Sequence, residues 1–131
     1  MPGKAAAPRK GKELEQKAQA LAEKLGLEVK RQVRVGRRIW GAERRIDLIL
    51  SDEAGKRLGL ECKFQGQAGT AEEKIPAVIE DINAWPIDGL VVFHGQGFSE
   101  NMKAFLLSTG KAVNLEDLEM WLRLYFGLEL P

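Results

Sequence analysis

Residues 44–51 and 57–65 alternate apolar and polar side chains on either side of Asp52-Glu53-Ala54-Gly55-Lys56, a segment with glycine near its far end. The pattern predicts two strands joined by a tight turn. With the turn centred on Ala54, an antiparallel hairpin opposes Ile46 to Cys62, Leu48 to Leu60 and Leu50 to Leu58. Every pair on that face is apolar, so this register buries a clean surface, and a slip of one residue would expose it. The same register opposes Asp47 to Glu61 on the other face, which Glu61 shares with Lys63 two residues on. Carboxylates directly across a ladder lie roughly 5 Å apart at Cβ and repel unless a positive group sits between them. Two readings are compatible with this. In one, the face is solvated and Lys63 and Arg45 neutralise Glu61 and Asp47. In the other, a divalent cation relieves the repulsion and Lys63 holds a water or a phosphate oxygen. Acids opposed over an apolar reverse face are a poor choice for a purely structural strand, which favours the second.

Hydrophobic periodicity places the other elements. Leu14, Ala18, Leu21, Ala22 and Leu25 recur at helical spacing and predict a helix over residues 12–25, stopped by Gly26. Residues 27–35 alternate, with Leu27, Val29, Arg31, Val33 and Val35 expected on one face of a half-buried strand. Residues 36–43 read as a basic loop carrying Trp40. A helix over 70–85 opens with a capping box, Thr70 and Glu73, and buries Ile75, Val78, Ile79 and Ile82; Pro76 predicts an irregular start. The apolar run 90–93 suits a fully buried strand, parallel to a neighbour because a helix precedes it. Ser99 caps a helix to about residue 107, Val113 adds a short edge strand, and Asn114 caps a last helix to residue 126. The expected class is α/β: a central mixed β-sheet flanked by helices in the order α-β-β-β-α-β-α, then the edge strand and last helix. Residues 1–11, small and basic, are expected to be a disordered tail, and 12–131 one domain.

Scarce residues narrow the chemistry. A single histidine, His94, rules out a two-histidine metal site and disfavours a histidine relay. The lone Cys62 excludes an internal disulfide and a cysteine-rich zinc site. Acid–base work would fall to carboxylates and lysines, which suit hard cations such as Mg²⁺ or Mn²⁺. His94 is expected to be a packed or capping residue, Cys62 and Trp85 core, and Gly95-Gln96-Gly97 a tight turn. No run reaches the roughly 20 apolar residues of a membrane span, and no leader opens the chain, so a cytoplasmic location is expected. A net charge of +1 conceals a basic stretch. Lys30, Arg31, Arg34, Arg37, Arg38, Arg44 and Arg45 are opposed there only by Glu28 and Glu43. Such a stretch is the footprint of a polyanion binder, or equally a solvated arginine-rich strand.

Arg45-Ile46-Asp47-Leu48-Ile49, the short turn, and Leu60-Glu61-Cys62-Lys63-Phe64-Gln65 resemble the core of the PD-(D/E)xK nuclease superfamily, which includes restriction endonuclease-like and Holliday-junction resolvase-like enzymes. Glu15, followed by Leu21, Leu25 and Gly26, resembles the acidic helix residue of many members; Glu13 competes with it, and Glu15 is preferred for its distance to Gly26. Residues 67–75 resemble the helix start of some restriction-like members. Ile46 stands where the family name has proline.

The resemblance implies a restriction endonuclease-like core and a metal-dependent endonuclease acting on DNA. Asp47 and Glu61 would hold Mg²⁺, with Mn²⁺ able to substitute and the Cys62 carbonyl as a third ligand. Lys63 would orient the attacking water and stabilise developing charge. Glu15 would bind a second metal or its water, and Gln65 would touch the phosphate or the water. Arg34, Arg37, Arg38, Arg44, Arg45 and Lys74 are the expected DNA contacts. No separate sequence-reading domain is expected, so specificity would come from DNA structure, a homodimer or a partner subunit. Met120, Trp121, Leu124 and Phe126 of the last helix are the candidate interface. The alternative is a catalytically inactive nucleic-acid-binding module, or a subunit of a larger nuclease or restriction complex. The intact Asp47, Glu61 and Lys63 argue against it.

Overall fold

The computed structural model describes residues 10–37, 43–66 and 75–131, with the Arg37 side chain left out. The Thr70–Glu73 capping box, Trp40, Arg38, Gln67 and Lys74 lie outside the described residues. The chain runs α1 (Gly11–Lys24), β1 (Glu28–Arg37), β2 (Glu43–Ser51), β3 (Arg57–Phe64), α2 (Ile75–Asn83), β4 (Gly89–His94), α3 (Glu100–Ser108), β5 (Ala112–Asn114) and α4 (Leu118–Phe126). The five strands form one mixed sheet in sequence order, β1-β2-β3-β4-β5. β1, β2 and β3 pair antiparallel, and β3, β4 and β5 pair parallel. This is the expected α/β architecture. No described helix is long and apolar enough to cross a membrane.

Both faces of the sheet are buried. Leu14, Ala18 and Ala22 of α1 and Leu118, Leu122 and Phe126 of α4 pack on one face, against Leu48, Leu50, Leu58, Leu60, Leu90 and Val92. Ile75 and Ile82 of α2 and Leu106 of α3 pack on the other, against Val91 and Phe93. The wholly apolar run of β4 follows from its burial on both sides. The end of α2 docks through Trp85, which lies over the register partners Gly59 and Gly89. A Cβ at Gly59 would come within 2.7 Å of the Trp85 ring, and one at Gly89 within 2.6 Å of Ile82. The two glycines therefore make the room that the indole fills.

Several local expectations shift. Pro76 lies within the described α2. Asn114 ends β5 and leads into a 3-10 turn, Leu115–Asp117, without capping it, so α4 starts at Leu118. Ser99 does cap α3, its hydroxyl accepting from the Met102 N–H at 3.1 Å. Phe126 belongs to the core and Trp121 packs against it, stacked on Tyr125. Met120 and Leu124 alone of the four candidate interface residues are exposed.

The clean apolar face of the hairpin is also interrupted. Ile46 packs with α2 and α3, while Leu48, Leu50 and Cys62 pack with α1 and α4. Val29 and Val35 of β1 divide in the same way. Strict alternation is thus broken midway along both strands, and the break falls at Asp47.

Candidate active site

Antiparallel pairing brings the beginning of β2 beside the end of β3, and parallel pairing brings the ends of β4 and β5 to the same edge. Glu61, Lys63 and Asp47 lie toward that edge. The β2–β3 ladder pairs Ser51 with Arg57, Leu50 with Leu58, Ile49 with Gly59 and Leu48 with Leu60, the register expected from the turn. It ends one pair short of Asp47 and Glu61. There the Asp47 carboxylate takes over: its Oδ2 accepts from the Cys62 N–H at 2.9 Å. A side chain fills the place of a backbone acceptor, which fixes Asp47 against the strand that carries Glu61 and Lys63.

The opposite flank of Asp47 is irregular too. β1 pairs Arg31 with Leu48 and Val33 with Ile46, and no pair forms between Gln32 and Asp47. Gln32 has φ of 50°, the only positive φ at a non-glycine residue among those described. This left-handed backbone costs a residue other than glycine of order 1–3 kcal/mol and is retained where the surroundings enforce it. Here it coincides with the crossing of side chains from one face to the other. The Gln32 side chain reaches α1, its Nε2 donating to Glu15 Oε1 at 3.1 Å.

Three carboxylates thereby share a small region. Glu61, 17% exposed at its side chain, has its pKa pushed up to about 7, first by burial and then by the charge of Asp47. Lys63 works against that rise, its Nζ 3.2 Å from Glu61 Oε2. Glu15 is likewise raised, by burial and then by Asp47, with the Gln32 amide opposing. The charge of Asp47 thus reaches the helix at Glu15.

Among the described residues no three acids, histidines or cysteines stand close enough to form a ready cation cage. The donor set nonetheless fits a hard divalent ion. It is all oxygen and partly buried, and Asp47 raises the proton affinity of Glu61 and of Glu15, an imbalance that a bound cation would relieve. Each acid instead rests on an internal donor: Asp47 on the Cys62 N–H, Glu61 on Lys63, Glu15 on Gln32.

Other candidates take different places. Cys62 is buried, and burial holds its thiol well above the usual range, so it is a core residue joined to the site through its N–H. Gln65 is buried and turned to a loop, its Nε2 donating to the Gly97 carbonyl at 2.8 Å. Arg44 is drawn onto α2 by Asp81, Nε to Oδ1 at 2.8 Å, with 21% of its side chain exposed. Arg34 and Arg45 are open to solvent and share Glu43 at 3.0 and 2.9 Å. Gln32 escaped the sequence reading. It occupies a polar position in a basic strand, and nothing local signals its left-handed backbone.

A model of a PD-(D/E)XK nuclease superfamily domain matches residues 6–122. The chain belongs to that superfamily. The match spans the helix that carries Glu15, the hairpin that carries Asp47, Glu61 and Lys63, and all five strands. A solved crystal structure of a protein of unknown function is also similar to this superfamily member, with a TM-score of 0.52 and 23% sequence identity. The similarity covers 77% of this chain and 57% of that one, and speaks to the fold. No curated protein matches the sequence.

Proposed function

We propose that this superfamily member is a metal-dependent endonuclease that hydrolyses DNA phosphodiester bonds. One observation carries the proposal. Asp47 is fixed by the Cys62 N–H beside Glu61, whose pKa is pushed up to about 7 with Lys63 3.2 Å away. Partly buried, neighbouring carboxylates with an adjoining ammonium are costly for stability and suited to a phosphoryl-transfer centre. Asp47 and Glu61 would hold Mg²⁺ or Mn²⁺, with Glu15 alongside. The ion would supply an activated water and a Lewis acid for the phosphate oxygen. Lys63, 37% exposed, is free to turn from Glu61 toward the substrate. There its ammonium would orient the water and offset charge developing on the phosphate. Arg34 and Arg45 would meet the flanking backbone. Self-pairing through the exposed Met120 and Leu124 would give the two cuts that a duplex or junction needs.

Cleavage of plasmid, branched and single-stranded DNA with Mg²⁺ or Mn²⁺ tests the proposal, comparing wild type with Asp47→Ala and Lys63→Ala. Metal-dependent cutting that vanishes in both variants supports it. DNA binding without cutting, unchanged in both variants, overturns it in favour of a binding module. Sedimentation equilibrium of wild type against Leu124→Glu reports on self-pairing.

A further inference from the structure

A second feature lies on the same edge of the sheet. β3 and β4 are in parallel register, Lys63 beside Phe93 and Phe64 beside His94, so Phe93 is one strand spacing, about 4.8 Å, from the proposed catalytic strand. Beyond Phe93 opens a cavity of about 380 Å³, lined also by His94, Gln96, Lys103, Asn114 and Glu116. Clefts outside the carboxyl ends of parallel strands are where α/β sheets bind ligands. The size is at the low end of the ~300–1,000 Å³ typical of small-molecule sites, room for one nucleotide but not for a base pair within a duplex.

The lining suits a nucleotide. Asn114 and Gln96 carry amides, which offer a donor and an acceptor together, the pattern that reads a base edge. The His94 ring, itself 6.3 Å from Phe64, supplies flat surface. Lys103 supplies a cation. The acids nearby are held loosely: Glu116, 65% exposed, meets His94 at 3.1 Å, and Glu100, 91% exposed, meets Lys103 at 3.2 Å. Both can swing into solvent when a phosphate or a base arrives. A strand crossing this edge would meet Arg34 and Arg45 first, then the three acids, then the cavity.

We infer that the cavity is a subsite for one unpaired nucleotide adjoining the phosphate that is cut, so that the substrate is DNA with a single-stranded or extruded nucleotide at the cleavage point. This rests on the endonuclease proposal for the neighbouring site. The test is binding by fluorescence anisotropy in EDTA, using a labelled 12-nucleotide single strand and the same sequence as a duplex. Wild type should prefer the single strand about tenfold. Lys103→Glu and Asn114→Ala should each erase most of that preference. Lys103 is a partly exposed helix residue, so its variant stays informative even where Asn114→Ala lowers stability. Equal affinity for both forms, or a preference untouched by Lys103→Glu, overturns the inference. Metal-dependent cutting of fully paired DNA with no single-strand preference would sink the subsite and keep the nuclease. Single-strand preference that depends on Lys103, without cutting under any metal, would keep the subsite and sink the nuclease.

Discussion

Gln32 donates its side-chain amide to Glu15 across 3.1 Å, from a left-handed backbone position directly beside the gap in the β1–β2 ladder at Asp47. The bond holds one oxygen of the helix carboxylate and leaves the other for a ligand, as residues behind a metal ligand commonly do. Gln32→Gly should separate the two roles of this residue. Glycine adopts the positive φ without strain, so thermal stability should hold or rise slightly. Mn²⁺ affinity, measured by calorimetric titration, should fall about tenfold because Glu15 loses its anchor. Gln32→Val should instead destabilise by about 1–3 kcal/mol, since a β-branched residue resists that backbone. Unchanged Mn²⁺ affinity in Gln32→Gly would reduce the Gln32–Glu15 bond to surface decoration.

Glu61 makes the metal-free protein sensitive to pH. Its folded pKa of about 7 lies above the ordinary carboxylate value, chiefly through burial. The folded state therefore holds this proton more tightly than the unfolded chain. Its contribution is fully present below about pH 4.5 and is lost as pH rises through about 7. A shift of this size amounts to at most about 3 kcal/mol. Urea unfolding in EDTA should find Glu61→Gln more stable than wild type at pH 8 and nearly equal at pH 4.5. Equal stability at both values would mean that Glu61 is better solvated than its surroundings imply.

Lys63 lowers the proton affinity of Glu61 from 3.2 Å. Lys63→Met should therefore do two things. Cleavage per bound metal should fall about 10²–10³-fold, the usual cost of removing one charge-stabilising donor. The pH at which Mn²⁺ binding is half complete should move upward, because the uncompensated Glu61 keeps its proton longer. A loss of cleavage with no movement of that midpoint would place Lys63 at the phosphate alone.

Much of this architecture was legible in the sequence, and the exceptions share a cause. The β2–β3 register followed from the turn and the apolar pairs, because a slip would have exposed Leu48, Leu50, Leu58 and Leu60 together. The parallel placement of β4 followed from the helix before it, and its burial from its unbroken apolar run. What could not be read was the crossing of faces at Gln32 and Asp47. Alternation is a rule for regular strands, and Ile46 and Val35 look alike whichever layer receives them. The placement of Arg44 and Gln65 was hidden for a related reason. Their partners, Asp81 and the Gly97 carbonyl, are distant in sequence and met only through the fold.

Gln65 follows β3 beside the candidate site and is tied to the segment after β4. Its amide bonds Gly97, while its backbone N–H donates to His94 and its carbonyl accepts from the Gly97 N–H. Gln65→Ala should remove the donor to a buried carbonyl and cost about 1–3 kcal/mol in urea unfolding. Cleavage per folded molecule should fall less than tenfold. Gly95→Ala should be worse, since its Cβ would stand 2.2 Å from the Gln65 carbonyl oxygen and its φ is 126°. A loss of cleavage of a hundredfold or more in stable Gln65→Ala would return Gln65 to the chemistry.

The arginines should sort by burial rather than by charge. Arg34 and Arg45 project from register partners on β1 and β2, 64% and 57% exposed, and share one carboxylate, Glu43. Two guanidiniums on one acid leave net positive charge for a phosphate. Arg34→Ala and Arg45→Ala should each weaken DNA binding and reduce the slope of log affinity against log salt by about one. Their effect on stability should be small, because exposed ion pairs contribute about 0–1 kcal/mol. Arg44 is held by Asp81, which also accepts from the Trp85 indole. Arg44→Ala would take the guanidinium away from that partly buried carboxylate, so it should lower stability by more than either exposed arginine and leave the salt slope nearly intact. The reverse pattern, with the salt slope governed by Arg44, would mean that the Asp81 pair opens when DNA binds.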